Sequence, residues 1–430
     1  AGEAVGDLLR HRRRLPARVL EALRDLPETS RDLARMAPHA EAAGDRLAVL
    51  AYAVAAAEQA SAFFSHREAA AQYARALRFG DALPPAERAA LLEARSVACY
   101  LSEQGEEAIA ARRMALEIWQ RLGDARREGD SLRWLSHLAW RGTEAAAAAQ
   151  AALEKLELLP PGPELAMAYS NLAQLHMLDH DLAGTLQWGT RAISLAEELG
   201  ETETLVHALN NVGSARAYAG DAEGREDLKR SLQLARSAGQ IDHAGRALAN
   251  LAYTAMLAMQ LEEAGQWLAS AIAFVSKHDL DSRRGYLVAT RAVLQVLRGE
   301  WDAADAELSR LLAQPLLSAV TRMVALTTWG ELRARRGDAE AWACLDEALV
   351  LADDTGKLLR QAAIRFARAE AALLGGDPPR ARAELDAVCE AVFARANPWD
   401  RGRCAWLLWQ AGARDLPLEG LADPYARQIA

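Results

Sequence analysis

A short turn recurs at almost constant spacing along the 430 residues of this chain. Each turn contains glycine, aspartate or another polar residue, and a small residue follows it near the start of a helix-like segment. These small residues are Ala69, Ala108, Ala145, Ala183, Gly224, Ala264, Ala303, Ala341 and Ala381, separated by 37 to 41 positions. Self-similarity with a period of roughly 20 to 50 residues is typical of solenoid repeats. We therefore expect a solenoid, which offers a recognition surface rather than a catalytic cleft.

The segment between successive turns has the pattern of two amphipathic helices. In residues 204–239, Leu205 and Leu209 share one helix face, and Gly220 and Asp221 end the first helix and cap the second. Two further sets of small residues recur. One lies about seven positions before each turn, and the other lies seven positions after the small residue that follows the turn, so that helices can approach closely. The two sets are Ala98, Ala173, Gly213, Ala292, Gly330 and Ala369, then Ala76, Ala115, Ala152, Ala271 and Ala348. These patterns predict an all-α fold.

Composition agrees with a folded helical chain and weighs against one class of partner. With 51% hydrophobic and 25% charged residues, the chain has enough apolar surface to avoid disorder. The net charge of −9 argues against direct nucleic-acid binding, which depends on clustered basic residues. One basic stretch, Arg10, Arg12, Arg13, Arg14 and Arg18, is interpreted as a solvated helix face.

The cysteines and the absence of long apolar runs indicate the cellular compartment that we expect for this chain. Cys99, Cys344, Cys389 and Cys404 are scattered without a CxxC pair, which predicts buried thiols in a reducing cytoplasm rather than a zinc or redox site. No run of about 18 apolar residues occurs, so we expect no membrane partner. The N-terminus lacks the features of a signal peptide.

The spacing of small residues resembles the tetratricopeptide repeat (TPR). The period exceeds the TPR length of about 34 residues, which predicts helices lengthened by about a turn. HEAT repeats have a comparable period, but the AxxxxxxA pairs and GDxxxA turns favour TPR. We predict a right-handed α-solenoid superhelix with a helical lead-in at 1–45, nine TPR-like repeats at 46–397, and the start of a truncated repeat at 398–430. Because no polar capping helix is visible at the end, we expect a fragment of a longer protein.

Several longer phrases carry a more specific resemblance, over essentially residues 30–430. They are LARMAPHAEAAGDRLAVL, HREAAAQYARALR, LPPAERAALLEAR, EAIAARRMALEIWQRLGDARREGDSLRWLSHLAW, LPPGPELAMAYSNLAQL and WGTRAISLAEELGETETLVHALNNVGSA. Together they resemble the repeat region of large ATP-dependent LuxR-type transcriptional regulators. These form the MalT-like group of signal-transduction ATPases with numerous domains (STAND).

The resemblance implies a sensor that works with other domains. In that family an ATPase and a winged-helix segment precede the repeats, and a LuxR-type helix-turn-helix follows them; RHRRRLPARVLEAL resembles the end of the winged-helix segment. The chain departs from the full pattern because Thr355-Gly356-Lys357 lacks the upstream glycine of a P-loop. ATP is therefore expected only for an ATPase domain outside this chain, and no cofactor is expected within it.

One asparagine recurs in three consecutive first helices: Asn171, Asn211 and Asn250, at spacings of 40 and 39 residues. First helices line the concave face of a TPR superhelix, so these side chains should form a column. An amide can pair with the N–H and C=O groups of an extended peptide. The arrangement is similar to the asparagine ladder of kinesin-light-chain TPRs. The alternative is that each asparagine makes a private hydrogen bond within the groove.

Aromatic and polar residues extend this column. Trp134 occupies the equivalent position in the preceding repeat, His137 and Trp140 share its helix, and Asn210, Tyr253 and Thr290 lie near the groove of later repeats. Tryptophan in a groove can anchor a ligand. The remaining tryptophans that we single out are expected in the core or between repeats: Trp119, Trp188, Trp267, Trp342 and Trp406.

A compact group of His176, Asp179, His180 and Asp181 has usable metal-ligand spacing. It lacks the glutamate of an HExxH motif, and Asp181 is better interpreted as a helix N-cap, so we predict no metal site. No GxSxG motif, Cys/His pair or convergent set of carboxylates is visible, so we predict no catalytic residues and no enzyme activity in this chain.

We therefore predict the sensor region of a LuxR-type STAND regulator, which recognises an effector on its concave face. The effector is a peptide, a protein or a small molecule, and Trp134 and Trp140 could stack on a ring. The neighbouring ATPase and DNA-binding domains are the other expected partners, and self-association into a homo-oligomer is left open. The alternative is a stand-alone TPR scaffold for protein–protein interaction.

Overall fold

The structure, a computed structural model, describes residues 2–27, 32–139, 142–278, 280–315 and 317–429. Over these residues 23 α-helices follow one another without a strand. They are α1 (Gly2–Arg24), α2 (Leu33–Ala43), α3 (Arg46–Ala62), α4 (His66–Leu77), α5 (Pro85–Leu101), α6 (Gly105–Leu122), α7 (Ala125–Leu138), α8 (Gly142–Leu156), α9 (Pro163–Leu178), α10 (Leu182–Leu199), α11 (Thr202–Tyr218), α12 (Glu223–Ser237), α13 (Ile241–Leu257), α14 (Leu261–Lys277), α15 (Asp281–Arg298), α16 (Trp301–Leu312), α17 (Ala319–Arg336), α18 (Ala341–Thr355), α19 (Leu358–Leu374), α20 (Pro378–Asp386), α21 (Cys389–Arg395), α22 (Pro398–Gln410) and α23 (Asp423–Ile429).

Helices α3 to α20 follow one another as nine consecutive pairs. Successive pairs pack on one another from α3 to α6 and again from α8 to α20, as α4 does on α5, α8 on α9 and α10 on α11. This arrangement confirms the predicted all-α solenoid of TPR-like hairpins. The chain divides into two compact units, Ala1–Ser131 (unit 1) and Leu132–Ala430 (unit 2), and the division lies within α7. In unit 2 the first helices of successive pairs lie side by side: α9 with α11, α11 with α13, α13 with α15, α15 with α17, and α17 with α19. The predicted boundaries at residues 45 and 397 stay predictions.

The turn inside each hairpin has one recurring geometry. In eight of the nine hairpins a residue with positive φ follows the first helix: Phe64, Glu103, His180, Gly220, Met259, Gly299, Gly337 and Gly376. The next residue donates its N–H to the carbonyl five positions back, as Asp221 does to Arg216 at 2.9 Å. This is the Schellman motif, which ends a helix by satisfying its last carbonyls. The turn of the remaining hairpin includes residues outside the described ranges.

The small residues that follow these turns are buried in seven of nine repeats. Ala183 and Ala303 are exposed, and Gly184 and Ala304 are buried instead. In the described turns the buried position comes four or five residues after the positive-φ residue, so a one-residue error in register turns the alanine toward solvent. The two other sets of small residues are buried as predicted.

Three further predictions concern single residues and segments. Cys99, Cys344 and Cys404 are buried and unpaired, and Cys389 is half-buried. In the basic stretch Arg13, Arg14 and Arg18 are exposed, as expected for a solvated face, and the side chains of Arg10 and Arg12 lie outside the described residues. Among the described helices, none has both the length and the apolar character needed to cross a membrane.

Candidate functional site

Unit 2 brings the two ends of its row of first helices together. Lys357, just before α19, donates a 2.8 Å hydrogen bond to the carboxylate of Asp179, at the end of α9. Leu359 packs on a cluster that contains Tyr218 of α11. The first turn of α19 therefore lies against α9, α11 and α13. We call the side of α9, α11, α13 and α15 that is turned toward α19 the inner face. Side chains on the inner face are the candidates for contact with a ligand.

The predicted asparagine column is present, and its members bridge neighbouring first helices. Each amide nitrogen donates to the preceding repeat: Asn171 to Ser136 Oγ (2.8 Å), Asn211 to the Ser170 carbonyl (2.9 Å) and Asn250 to Asn210 Oδ1 (2.6 Å). Asn171 and Asn211 are buried, whereas Asn250 is half-buried. These contacts correspond to the alternative of private hydrogen bonds within the groove. Ligand contact by the three asparagines stays a prediction.

A chain of contacts fixes the state of a buried histidine on α11. Arg246 donates to Oδ1 of Asn211 at 2.5 Å, so the amide nitrogen of Asn211 points the other way, to within 3.3 Å of Nδ1 of His207. The Ser170 hydroxyl also lies 2.7 Å from Nδ1. Because Nδ1 faces a nitrogen that can only donate, it must act as an acceptor, and the imidazole is neutral. Burial, with the Arg246 guanidinium nearby, holds the pKa of His207 well below its usual value of 6.5.

His207 belongs to a row of three histidines, which we call the histidine cluster. The ring centroids of His137 and His207 are 6.3 Å apart, and those of His207 and His243 are 5.7 Å apart. Burial and the charge of Arg246 lower the pKa of His137 to about 3. Trp134 packs edge-on against His137 at 5.6 Å, which places two predicted site residues together. Trp140, also predicted, lies outside the described residues.

A second group on the inner face, the tyrosine cluster, consists of Tyr218, Tyr253 and Tyr286. The rings of Tyr218 and Tyr253 meet edge-on with centroids 5.9 Å apart. Arg360 of α19 is close enough for all three tyrosines to affect its pKa. Only Tyr253 was predicted as a site residue. The recurrence of tyrosine at intervals of 35 and 33 residues could have identified the other two, but no local pattern marks Arg360.

Two polar atoms near these clusters are buried without a hydrogen-bond partner in the protein. They are Nδ2 of Asn210 and Nη1 of Arg360. Asn210 was predicted as a site residue, and its Oδ1 accepts from Asn250, so only its donor side is unused. Burying an unsatisfied polar atom is costly, and native proteins leave few of them. These atoms therefore provide hydrogen-bonding capacity that a guest on the inner face could use.

The group at the end of α9 has local structural roles. Asp181 is the N-cap of α10, as predicted, because its Oδ1 accepts from Gly184 N at 2.9 Å. Its other oxygen lies 2.8 Å from Nδ1 of His176, and Asp179 pairs with Lys357. His180 occupies the positive-φ turn. Within the described part of the chain, no three His, Cys, Asp or Glu side chains are placed to hold a metal ion together.

The other tryptophans pack against repeat helices. Trp119 is buried and donates to Glu93 at 3.1 Å, which confirms its predicted core position. Trp188, Trp267, Trp342 and Trp406 are half-buried. Trp406 stacks on Trp409 with centroids 5.1 Å apart, at a cleft of about 770 Å³ that Arg403 also lines. Since Arg403 is already paired with Glu331 and Glu370, the charge at this cleft is satisfied within the protein.

Comparison with known proteins supports the fold. No family model and no curated protein sequence matches this chain. A Rap protein solved in complex with competence and sporulation factor has 12% identity and a TM-score of 0.52, over 80% of this chain and 99% of that one. Aspartyl phosphate phosphatase F from Bacillus subtilis has 14% identity and a TM-score of 0.46, over 80% and 93%. A STAND protein with a tetratricopeptide repeat sensor from Pyrococcus horikoshii has 13% identity and a TM-score of 0.41, over 79% and 52%.

At these identities the likeness shows the fold alone, and the first structure carries it. The chain shares the TPR-like solenoid of the Rap protein over nearly that protein's whole length. Membership of the LuxR-type family stays a prediction from the sequence phrases.

Proposed function

We propose that this chain is a non-catalytic TPR-like scaffold whose inner face in unit 2 binds an extended peptide segment. The observation that carries the proposal is the pair of unsatisfied polar atoms on Asn210 and Arg360. A peptide main chain offers both donors and acceptors at regular spacing, and could satisfy such atoms where an apolar guest could not. The complex formed by the Rap protein of similar fold is consistent with a binding role for the solenoid.

The regulatory setting is a further part of this proposal. The phrases that resemble LuxR-type STAND regulators support a cytoplasmic sensor region that works with an ATPase and a DNA-binding domain. An effector would then act by binding one arrangement of the domains more tightly than another. A stand-alone scaffold remains the alternative. Sequences that flank this region in the gene distinguish the two, because a P-loop and a helix-turn-helix would support the regulator.

A non-catalytic role agrees with the contacts of the titratable groups that we describe on the inner face. The carboxylate of Asp242 accepts two hydrogen bonds from Arg283, at 2.6 and 2.7 Å. Although burial alone would raise the pKa of Asp242, the Arg283 guanidinium lowers it overall, so this carboxylate stays charged and paired. His207 is held neutral as an acceptor, and neither group is positioned as a free acid or base.

The test is a thermal-shift and tryptophan-fluorescence screen of the full chain against pools of peptides, nucleotides and sugars. We expect a peptide to raise the melting temperature. The double variant Asn250→Ala/Tyr253→Phe, which removes one amide and one hydroxyl from half-exposed inner-face positions, should weaken binding by roughly tenfold. Tyr100→Phe on α5 of unit 1 is the matched control and should bind like the wild type.

Each other outcome has a definite meaning. A response to sugars or nucleotides alone would replace the peptide with a small-molecule effector. Peptide binding that the double variant leaves unchanged would move the site away from the inner face. A chain that responds to none of the pools would contradict the proposed function.

A further inference from the structure

The cation beside the tyrosine cluster indicates which chemical group the site binds. We propose that Arg360, with the hydroxyls of Tyr218, Tyr253 and Tyr286, binds a carboxylate of the ligand. This inference rests on the proposed function and adds to it: the peptide would place its C-terminal carboxylate, or an Asp or Glu side chain, between α19 and the first helices α11, α13 and α15.

The tyrosines and Arg360 come from four helices of unit 2. Tyr218 ends α11, Tyr253 lies near the end of α13, and Tyr286 lies within α15. Leu359, the residue before Arg360, packs in the same apolar cluster as Tyr218 and Tyr253, which brings the first turn of α19 to the tyrosines. The salt bridge from Lys357 to Asp179 holds that turn on the end of α9. The first turn of α19, which carries Arg360, therefore lies against α11 and α13, and Tyr286 of α15 is close enough to affect the pKa of Arg360.

Arg360 is a partly covered cation with unused donors. Its Nη1 atom is buried and has no hydrogen-bond partner, while the side chain as a whole is half-buried. Tyr253 and Tyr286 are also half-buried, so solvent and a ligand can reach the cluster. A guanidinium in such a setting ordinarily has a carboxylate beside it, because an uncompensated charge is costly to bury.

Two carboxylates in this part of the structure are engaged elsewhere. Asp179 pairs with Lys357, one helical turn before Arg360. Asp400 accepts a 2.6 Å hydrogen bond from Asn397, and burial raises the pKa of its carboxyl. The groups close enough to shift the pKa of Arg360 are the three tyrosines, and burial lowers that pKa. Burial also raises the pKa of each tyrosine, so their hydroxyls stay protonated and able to donate.

A carboxylate matches this donor set in charge and in shape. The planar guanidinium presents parallel N–H donors that fit the two oxygens of a carboxylate, and such charge-assisted pairs are stronger than neutral ones. Tyrosine hydroxyls can donate to the remaining lone pairs of the same oxygens. One positive charge is then balanced by one negative charge. Side chains that are arranged to bind a ligand often lower the stability of the protein without that ligand. We therefore expect Arg360 to destabilise the free protein.

The first arm of the test needs no ligand. We expect Arg360→Met, which keeps the aliphatic stem and removes the charge, to raise the melting temperature of the free protein. The matched control is Arg382→Met on α20, which removes an exposed arginine paired with Asp386 and should change the melting temperature little. A clear fall in the melting temperature of Arg360→Met alone would show that the guanidinium is satisfied within the protein, and would overturn the inference.

The second arm compares three peptide pools for binding to the full chain. One pool has free C-termini and no Asp or Glu, the second is the same pool amidated, and the third is amidated with a single Glu. We expect the wild type to prefer the first or the third pool over the second, which also identifies the source of the carboxylate. Arg360→Met should lose that preference by at least roughly tenfold, and Arg382→Met should keep it.

The two proposals fail in different ways. Equal binding of all pools by the wild type, unaffected by Arg360→Met, would overturn carboxylate recognition and leave peptide binding intact. Absence of binding to any pool would overturn both.

Discussion

At the scale of single residues, the inner face shows how polar side chains set each other's state. Arg246 orients the amide of Asn211, and the amide in turn makes Nδ1 of His207 an acceptor. A protonated His207 would turn a donor toward the donor of Asn211 while lying near a guanidinium. The imidazole is therefore neutral because of its neighbours as well as its burial.

We expect this neutrality to make stability depend on pH. Both His137 and His207 have folded-state pKa values below the ordinary 6.5, so the unfolded chain binds more protons as the pH falls. Stability from these groups is complete above pH 6.5 and declines toward the folded-state pKa, which is about 3 for His137. Between pH 6.5 and pH 5 the loss should be about 2 kcal/mol for each imidazole.

Urea unfolding at several pH values between 7 and 5 measures this effect. His207→Gln removes one titrating group and keeps a polar side chain, so the pH dependence of its unfolding free energy should be about half as steep over the same interval. An equally steep dependence in the variant would show that His207 is not held neutral.

At the scale of elements, the hairpin of α11 and α12 depends on two glycines that allow close backbone contact. A Cβ atom on Gly224 would lie 2.4 Å from both Ala217 N and the Gly213 carbonyl oxygen. Both neighbours are backbone atoms of α11, so neither can move aside without displacing the helix. The small residues that recur in the sequence therefore mark the points where the two helices of a hairpin cross.

Gly224→Ala should lower the unfolding free energy by about 2 kcal/mol or more, because the extra methyl group forces α11 and α12 apart. Gly105→Ala is the matched control, since Gly105 begins α6 and an added Cβ there meets no atom within 4 Å. The control should be neutral or more stable by about 0.5 kcal/mol, because alanine favours the helix. Thermal and urea unfolding of both variants measure the difference, and equal stabilities would contradict the proposed crossing contact.

At the scale of the molecule, the distinctive feature of unit 2 is that a late repeat returns to an early one. The salt bridge between Lys357 and Asp179 joins residues 178 positions apart in sequence. Lys357 is well buried, with 11% of its side chain exposed, whereas Asp179 is 30% exposed. This contact positions α19, and with it Arg360, against the tyrosine cluster.

Lys357→Met should loosen this contact and leave the hairpins folded. We expect faster amide hydrogen exchange in the first turns of α19 and the last turn of α9, with an unfolding free energy lower by about 1 to 2 kcal/mol. Lys229→Met is the matched control, since Lys229 forms an exposed pair with Glu226 within α12. Exchange in α19 that remains as slow as in the wild type would show that apolar packing alone holds the closure.

The local part of the fold could be predicted from the amino-acid sequence. The period, the paired helices and the small residues at the crossings follow from turns and contacts between neighbours in the chain, and they were predictable for that reason. At Ala183 and Ala303 the buried position lies one residue further on, because the distance from the positive-φ residue to the buried one varies between four and five residues. Tyr253 and Asn210 were also within reach, since they repeat with the helices.

Which of these residues face a common site depends on contacts between repeats that are distant in the chain. The return of α19 to α9 buries Tyr218 and brings Arg360 to the tyrosines, and neither helix carries a local signal of the other. The asparagine column also depends on contacts between repeats. In the structure, groups on the neighbouring first helix accept the amide hydrogens of Asn171 and Asn211. From the sequence, a ligand was an equally good acceptor. A repeating pattern specifies contacts within a repeat and with the next one. Contacts between distant repeats depend on the accumulated curvature of the whole array, which no single repeat encodes.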